Sequence, residues 1–410
     1  MIYRSIILIS ILLESICSFA QATGDRLPAW EKGYLDIHHI NTGCGNCTYI
    51  VFPDATTMLI DAGENKANNP RHVPPRPNDS RTPGEWIVDY ITDMSPIERP
   101  RLNYVLITHF HSDHMGGVLK VKNESGRYYN TGAITVAENI PVGTWVDRGF
   151  PDYSFLVNLK DKAMKNYLNF LHFTQKPFNK ERFIPGVDNQ FVLLYDSLSY
   201  KENFKVQNIY ANGMLWTGQG QKVRCLFPDL STLKKYDIPQ ENTLSCALKI
   251  VYGRFSYYTG GDVTGYPKPG RSSFHDVETP MASVIGKVDV CNVNHHGYNN
   301  ATNNTFVSTL APRVFIIQAS DALHPNQSTL ERMLSGYLYE GKRDIFTTNL
   351  HEAAKIVIGK DTDKMKSKQG HIVIRVLPGG NQYYVYVLDD GNTKRKIKGV
   401  FGPYVSGDVK

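Results

Sequence analysis

Six consecutive residues, His109-Phe110-His111-Ser112-Asp113-His114, hold three imidazoles and a carboxylate. They directly follow an apolar run, Leu102 to Thr108, that reads as a strand buried on both faces. Residues two apart in an extended segment point the same way, so His109 and His111 can address one ion. Where the chain turns into a helix, Asp113 and His114 can address a second. Imidazole nitrogens mixed with carboxylate oxygens suit borderline divalent metals: zinc first, with manganese or iron as alternatives, one or two ions.

Further donors should come from other strand ends. Asp262 follows the apolar strand Phe255 to Thr259 through Gly260-Gly261, which lets the backbone approach closely, and it is placed to bridge two ions. His295 and His296 follow the strand Val288 to Val293, and either can be the ligand. A divalent cation lowers the pKa of bound water from 15.7 to about 7. Asp113 and Asp262 would orient that hydroxide. Asp61, with Thr108, would fix a ligand histidine's tautomer from behind. His324 would protonate a leaving group or hold an oxyanion.

Around these residues, strands alternate with helices. Strands are expected at Tyr49 to Phe52, Thr57 to Ile60, Phe191 to Leu194, Lys205 to Tyr210, Val223 to Phe227, Ser245 to Val251 and Arg313 to Gln318. Helical spacing covers Glu85 to Met94 and, with interleaved lysines, Asp152 to Phe173; a further helix starts at Ser328. Asn65 to Pro83 reads as a long surface loop, and His371 to Val376 with Gln382 to Leu388 as a closing hairpin. Such alternation points to α/β layering. There is no internal repeat.

With 410 residues, 41% hydrophobic and 20% charged, the chain can bury a large core. The net charge of +6 permits acidic substrates without demanding them. Arg4, the apolar stretch Ile6 to Leu13, and the small residues Ser18, Ala20 and Ala22 have the layout of a cleavable secretory signal over 1–22, with Glu14 as a flaw. On that reading the body is exported, secreted or periplasmic, and no later run is long enough to span a membrane. Cys17 leaves with the signal, and the five remaining cysteines make no disulfide framework, although one bridge is possible. Cys44 and Cys47 read as a tight turn entering a strand.

Taken in order, Gly43-Cys44-Gly45-Asn46-Cys47, Asp61-Ala62-Gly63, the histidine cluster, Asn242-Thr243-Leu244-Ser245, Thr259-Gly260-Gly261-Asp262, His295-His296-Gly297 and His324-Pro325 resemble the metallo-β-lactamase fold. More narrowly, they resemble the β-lactamase-like domain of the competence DNA-uptake protein ComEC. The resemblance implies a four-layer αββα sandwich over 23–365, with an insertion near 121–200, and a C-terminal β-hairpin extension over 366–410 packed on the same domain. It also implies a metal-dependent hydrolase of phosphodiesters, from small molecules or nucleic acid. Asn242 departs from the pattern, because zinc hydrolases of this superfamily place a first-site histidine there; His172 is a conceivable substitute. A lactone, β-lactam or ester hydrolase, or a non-catalytic binding module, are the competing classes. No nucleic-acid-binding module is visible, and the oligomeric state is open.

Overall fold

A computed structural model of the protein describes residues 22–65, 69–266 and 270–408. The expected signal segment lies outside the described residues except for its last position. None of the described helices is long and apolar enough to cross a membrane.

Two sheets dominate. The first runs, in spatial order, Ile397–Val405, Gln382–Leu388, His371–Val376, Leu35–His39, Cys47–Val51, Thr57–Ala62, Leu102–Ile107, Val142–Asp147 and Asn179–Arg182. The second runs Val223–Cys225, Met214–Trp216, Phe204–Ala211, Ala247–Tyr252, Phe255–Thr259, Val290–Asn292, Val314–Ile317 and Asp344–Thr347. Each sheet is antiparallel on one side and parallel on the other. In the first, pairing becomes parallel from Thr57–Ala62 onward; in the second, from Phe255–Thr259 onward.

Side-chain alternation explains why these strands read as continuous apolar runs. Along Leu102–Ile107, Tyr104 and Leu106 enter a core shared with Leu248, Ile250, Tyr257 and Ile316 of the other sheet. The residues between them, with Val105 and Ile107, face an outer core built with Ile87, Ile134, Met164 and Phe170 from helices. Val314–Ile317 divides in the same way: Val314 and Ile316 face inward, while Phe315 and Ile317 pack with Met281, Phe306 and Leu330 of the helices outside. Both of these strands are therefore covered on both faces. The result is a four-layer αββα sandwich, the fold class the resemblance implied.

Local signals placed several elements accurately. Helix Pro83–Met94 starts on a capping box in which Thr82 and Glu85 bond each other's backbone N–H, with proline in the first turn. Other expectations need correction. The helix expected from Asp152 begins only at Lys162, where Asp161 accepts from the Met164 N–H as its cap. Phe191 to Leu194 alternates buried and exposed residues as a strand would, yet belongs to no ladder. Its Val192 and Leu194 N–H groups donate instead to the Tyr104 and Thr56 hydroxyls. The alternation reports half-burial, which side-chain partners satisfy as well as a neighbouring strand does.

The C-terminal segments join the first sheet directly, His371–Val376 pairing antiparallel with Leu35–His39. The final strand, Ile397–Val405, was not expected from the sequence, since Gly399 and Gly402-Pro403 interrupt its apolar pattern. Cys44, Cys47, Cys225, Cys246 and Cys291 are all unpaired thiols.

Candidate metal centre

The parallel halves of the two sheets point their C-terminal ends to one edge, where loops collect. From the first sheet, Thr57–Ala62 ends with Asp61, and Leu102–Ile107 runs into His109, His111 and the short helix Ser112–Met115. From the second, Phe255–Thr259 leads to Asp262, Val290–Asn292 to His295 and His296, and Val314–Ile317 to Ser320 and His324. Gly261 adopts φ +55°, and a Cβ there would sit 2.8 Å from Thr108 Oγ1, so the two sheets meet at this glycine. His295 and His296 are consecutive non-glycine residues at φ 47° and 54°. That strained turn carries His296 in among Asp113, His114 and Asp262 and leaves His295 beside them.

Two donor clusters share one carboxylate. Asp113, His114, Asp262 and His296 present ligand atoms all within 4.8 Å of one another, as do His109, His111 and Asp262. In the four-residue cluster, His114 Nε2 lies 3.1 Å from Asp262 Oδ1, and His296 Nε2 lies 3.2 Å from Asp113 Oδ2. In the other, His109 Nε2 is 3.1 Å from His111 Nδ1 and 3.7 Å from Asp262 Oδ2. Donors bound to one tetrahedral ion at about 2.0–2.1 Å are separated by roughly 3.3 Å, so these spacings fit.

Proton bookkeeping points the same way. His114 Nδ1 is 2.7 Å from the Asp61 carboxylate and His296 Nδ1 is 2.9 Å from the Gln318 carbonyl. Both partners only accept, so each Nδ1 carries a hydrogen, and each ring, when neutral, presents its Nε2 lone pair. Those two Nε2 atoms face each other at 3.3 Å. Without a cation the cluster must take up protons instead, His114 Nε2 donating to Asp262 Oδ1 at 3.1 Å and His296 Nε2 to Asp113 Oδ2 at 3.2 Å, which sets two hydrogens between nitrogens only 3.3 Å apart. A cation among the four satisfies them all.

The charges reinforce one another. Burial pushes the Asp262 carboxyl up, but His114, His296, His295 and His109 around it prevail and hold it well below the usual carboxylate range. Asp113 is held low in the same way, chiefly by His296 and His114 against burial. In return, Asp262 and Asp61 raise His114 well above its ordinary value despite burial, and Asp262 with Asp113 raises His296 to about 10. His109 goes the other way: burial, then the neighbouring His114, push it well below.

The remaining candidates stand around these clusters. Asp61 accepts from the Thr108 N–H and hydroxyl, both at 2.8 Å, as well as from His114. His295 belongs to neither cluster: its Nε2 is 3.6 Å from Asp262 Oδ2 and 3.0 Å from Asn242 Nδ2, and its Nδ1 is 2.6 Å from Asn300 Oδ1. The Asn242 carbonyl oxygen is buried without a partner. His324 stacks on His296 with ring centroids 4.4 Å apart. His172 is not brought to the centre; it sits exposed on the outer helix Lys162–Phe173.

Several contributors were invisible in the sequence. The Gln318 carbonyl that orients His296 is a backbone group, which no residue type announces. Asn300 is one asparagine of an Asn-rich chain, with no spacing that singles it out. Glu278 is fully buried and takes hydrogen bonds from Asn294 Nδ2 and from the Thr302 and Asn303 N–H groups, so it clamps the His295-His296 turn. Its signal, a lone acid in a helix, carries no spacing. Glu241, paired with the buried Arg148, accepts from the Phe110 N–H at 2.8 Å and so braces the His109–His111 segment.

Comparison with known proteins agrees with this local picture. Residues 92–126, which contain the histidine cluster, match the profile of the metallo-beta-lactamase superfamily. No curated protein sequence matches the chain. Among solved structures, the crystal structure of human tRNase Z, short form (ELAC1), is similar at 13% identity with a TM-score of 0.32, covering 70% of this chain and 96% of that one.

Proposed function

We propose that the protein is a metal-dependent hydrolase of phosphodiester bonds, working with a pair of divalent cations, most simply zinc. The observation that carries the reading is the convergence of Asp113, His114 and His296, whose two Nε2 atoms lie 3.3 Å apart, on the carboxylate of Asp262, which lies between two donor clusters. Asp113, His114, Asp262 and His296 would hold one cation, and His109, His111 and Asp262 the other. Such a pair supplies Lewis-acid polarisation and clamps attacking and leaving oxygens in an in-line displacement. Asp61 and the Gln318 carbonyl keep the two imidazoles in the metal-ready tautomer, and Asp113 and Asp262 accept hydrogen bonds from a water held between the clusters. His324, stacked on His296, faces the leaving side.

The finer likeness to the β-lactamase-like domain of ComEC belongs to this proposal. The order of the seven motifs from Gly43 to Pro325 supports it, and so does the Asn242 departure. Export belongs to it too, resting on the layout of residues 1–22.

Protein purified without added metal should contain up to two equivalents of a divalent metal by elemental analysis, and should hydrolyse bis-p-nitrophenyl phosphate in preference to nitrocefin or a simple lactone. Reversed preference would assign the ester and lactam class instead, and metal-free protein that takes up no metal would leave only a binding module.

A further inference from the structure

Apart from the metal clusters, a cavity of about 570 Å³ opens where four other segments meet. They are the loop after Val142–Asp147, the stretch after Asn179–Arg182, the turn between Phe204–Ala211 and Met214–Trp216, and the chain after Val223–Cys225. Most of the wall is apolar and includes Phe155, Phe183, Ile184, Met214, Phe227 and Leu230. Phe155 is 40% exposed and Ile184 51%. Large apolar side chains scattered singly on a surface need no explanation. Several gathered around one concavity within the usual ligand range, about 300 to 1,000 Å³, mark a binding site.

The cavity is preformed and closed off from the metals. In its wall the Asn212-Gly213 turn sits at φ 53° and 81°, and a Cβ on Gly213 would lie 2.4 Å from the Phe227 ring, so turn and ring pack directly together. Behind Phe155 and Asn212 stands the buried guanidinium of Arg148, whose Nη1 donates to the Phe155 carbonyl at 3.3 Å and to Asn212 Oδ1 at 3.0 Å. Its Nε and Nη2 go to Glu241. Arg148 has partners at all three nitrogens and offers an occupant nothing. The guanidinium also lies 4.7 Å from the ring centroid of Phe110, the residue between His109 and His111. Arg148 and Phe110 thus form a layer between the cavity and the histidine segment, and an occupant is held away from the reaction centre.

The mouth carries a cation fixed in place. Arg182 is exposed, and its Nε and Nη2 donate to the Phe150 and Gly149 carbonyls, while Nη1 enters no hydrogen bond or ion pair among the described residues. The nearby acid, Asp152, is taken up by the Ser154 N–H and hydroxyl, each at 2.9 Å, and forms no ion pair with Arg182. An apolar chamber with a fixed planar cation at its mouth matches an amphiphilic acid, its apolar body inside and its carboxylate on Nη1.

We propose that this cavity binds an organic acid with an apolar acyl or aryl body, and that Arg182 receives the carboxylate. The site is separate from the metal centre, and the inference does not depend on which bond that centre cleaves.

The test uses the full chain, with decanoate and 1-naphthoate as probes for acyl and aryl bodies and 1-naphthol as the neutral control. The wall supplies its own reporter, because Cys225 lines the cavity and is exposed, whereas Cys44, Cys47, Cys246 and Cys291 are buried. Binding is read by calorimetry and as protection of Cys225 from alkylation by N-ethylmaleimide, in metal-loaded and in chelator-treated protein. At least one acid should bind one-to-one in both, slow the alkylation severalfold and bind more tightly than 1-naphthol; preference between the two acids tells acyl from aryl. Arg182→Gln should weaken the acid about threefold, as for an exposed ion pair, and leave 1-naphthol unchanged. Met214→Trp, which fills the cavity, should abolish binding by calorimetry. Binding that disappears with the metal would put the carboxylate on the cations and overturn the site, as would wild-type protein that binds neither acid or alkylation that ignores a bound one. An Arg182→Gln variant that binds the acid as tightly as wild type would overturn the role of Arg182. Acid binding at Cys225 in a protein that cleaves no phosphodiester would keep the site and reject the reaction.

Discussion

The two donor clusters share Asp262 but are built differently. Around Asp113, His114 and His296 almost everything is held from behind: Asp61 and Thr108 stand behind His114, and the Gln318 carbonyl behind His296. Glu278 clamps the turn that carries His296. In the other cluster His109 is buried with the Thr108 hydroxyl 3.2 Å from its Nδ1, but His111 is exposed, and the neighbouring Asn242 and His295 bond each other rather than joining the cluster. One cluster has a preformed geometry and the other has room to change its coordination. Ligand immobilisation thus separates the two more than ligand chemistry does, and it predicts one tight and one weak cation site.

Removing the shared carboxylate should erase the distinction. Asp262→Ala is expected to lose both metal equivalents together, with activity falling to background, as read by elemental analysis and turnover. Retention of one tight equivalent would mean that the four-residue cluster does not depend on Asp262. His114→Ala should cost the tight equivalent and His111→Ala only the weak one.

The next effect is on stability. Burial raises the carboxyls of Glu278 and Glu64 to about 7, from an ordinary value of 4.5. A carboxyl whose folded pKa lies above its unfolded one holds a proton in the native state that the unfolded state has already released. The contribution of these two carboxyls to stability should therefore fall as pH rises from 4.5 to 7, by at most on the order of 3 kcal/mol per group, while His39 and His371, lowered by burial to about 3, contribute in the opposite sense. Denaturant titration of chelator-treated wild type and Glu278→Gln across that range isolates the Glu278 share, and the stability difference between the two should shift in favour of the variant as pH rises. A difference that does not move with pH would show that Glu278 is not the strained buttress of the His295-His296 turn.

A smaller effect is expected behind His114. Asp61→Asn keeps the shape of the side chain but weakens its hold on Nδ1–H, and should lower metal affinity at the tight site by 10–100-fold, the usual cost of losing such an orienting partner. The weak site should barely respond in the same metal titration.

The smallest effect concerns the open cluster. Asn242→His adds an imidazole beside His295 and should tighten the weak site by about tenfold, since imidazole is a better zinc donor than an amide carbonyl. Two equally tight sites in the wild type would remove the basis of the comparison.

Much of the site was legible because it is local. His109, His111, Asp113 and His114 lie within one turn of chain, so their spacing alone brings them to one place, and the buried strand before them announced itself by its apolar run. Asp61, Asp262, the pair His295 and His296, and His324 could be picked out only because each follows a strand in the right order. The strand end at Phe191 to Leu194 shows the limit: its alternation was read correctly, yet side-chain hydroxyls of Tyr104 and Thr56 take its backbone N–H groups where a ladder was expected.

The sequence by itself thus determined which residues can bind a cation and that the chain folds into layered sheets, since donor type and hydrophobic period are written residue by residue. It could not determine how those donors are divided. Only the tertiary structure separated His296 from its neighbour His295, through two consecutive left-handed residues and a carbonyl at Gln318 that has no side-chain signature. Only the meeting of two parallel half-sheets at one edge made Asp262 common to both clusters. Coordination is a matter of angles and distances between segments far apart in the chain, and those are fixed by packing, which no local pattern encodes.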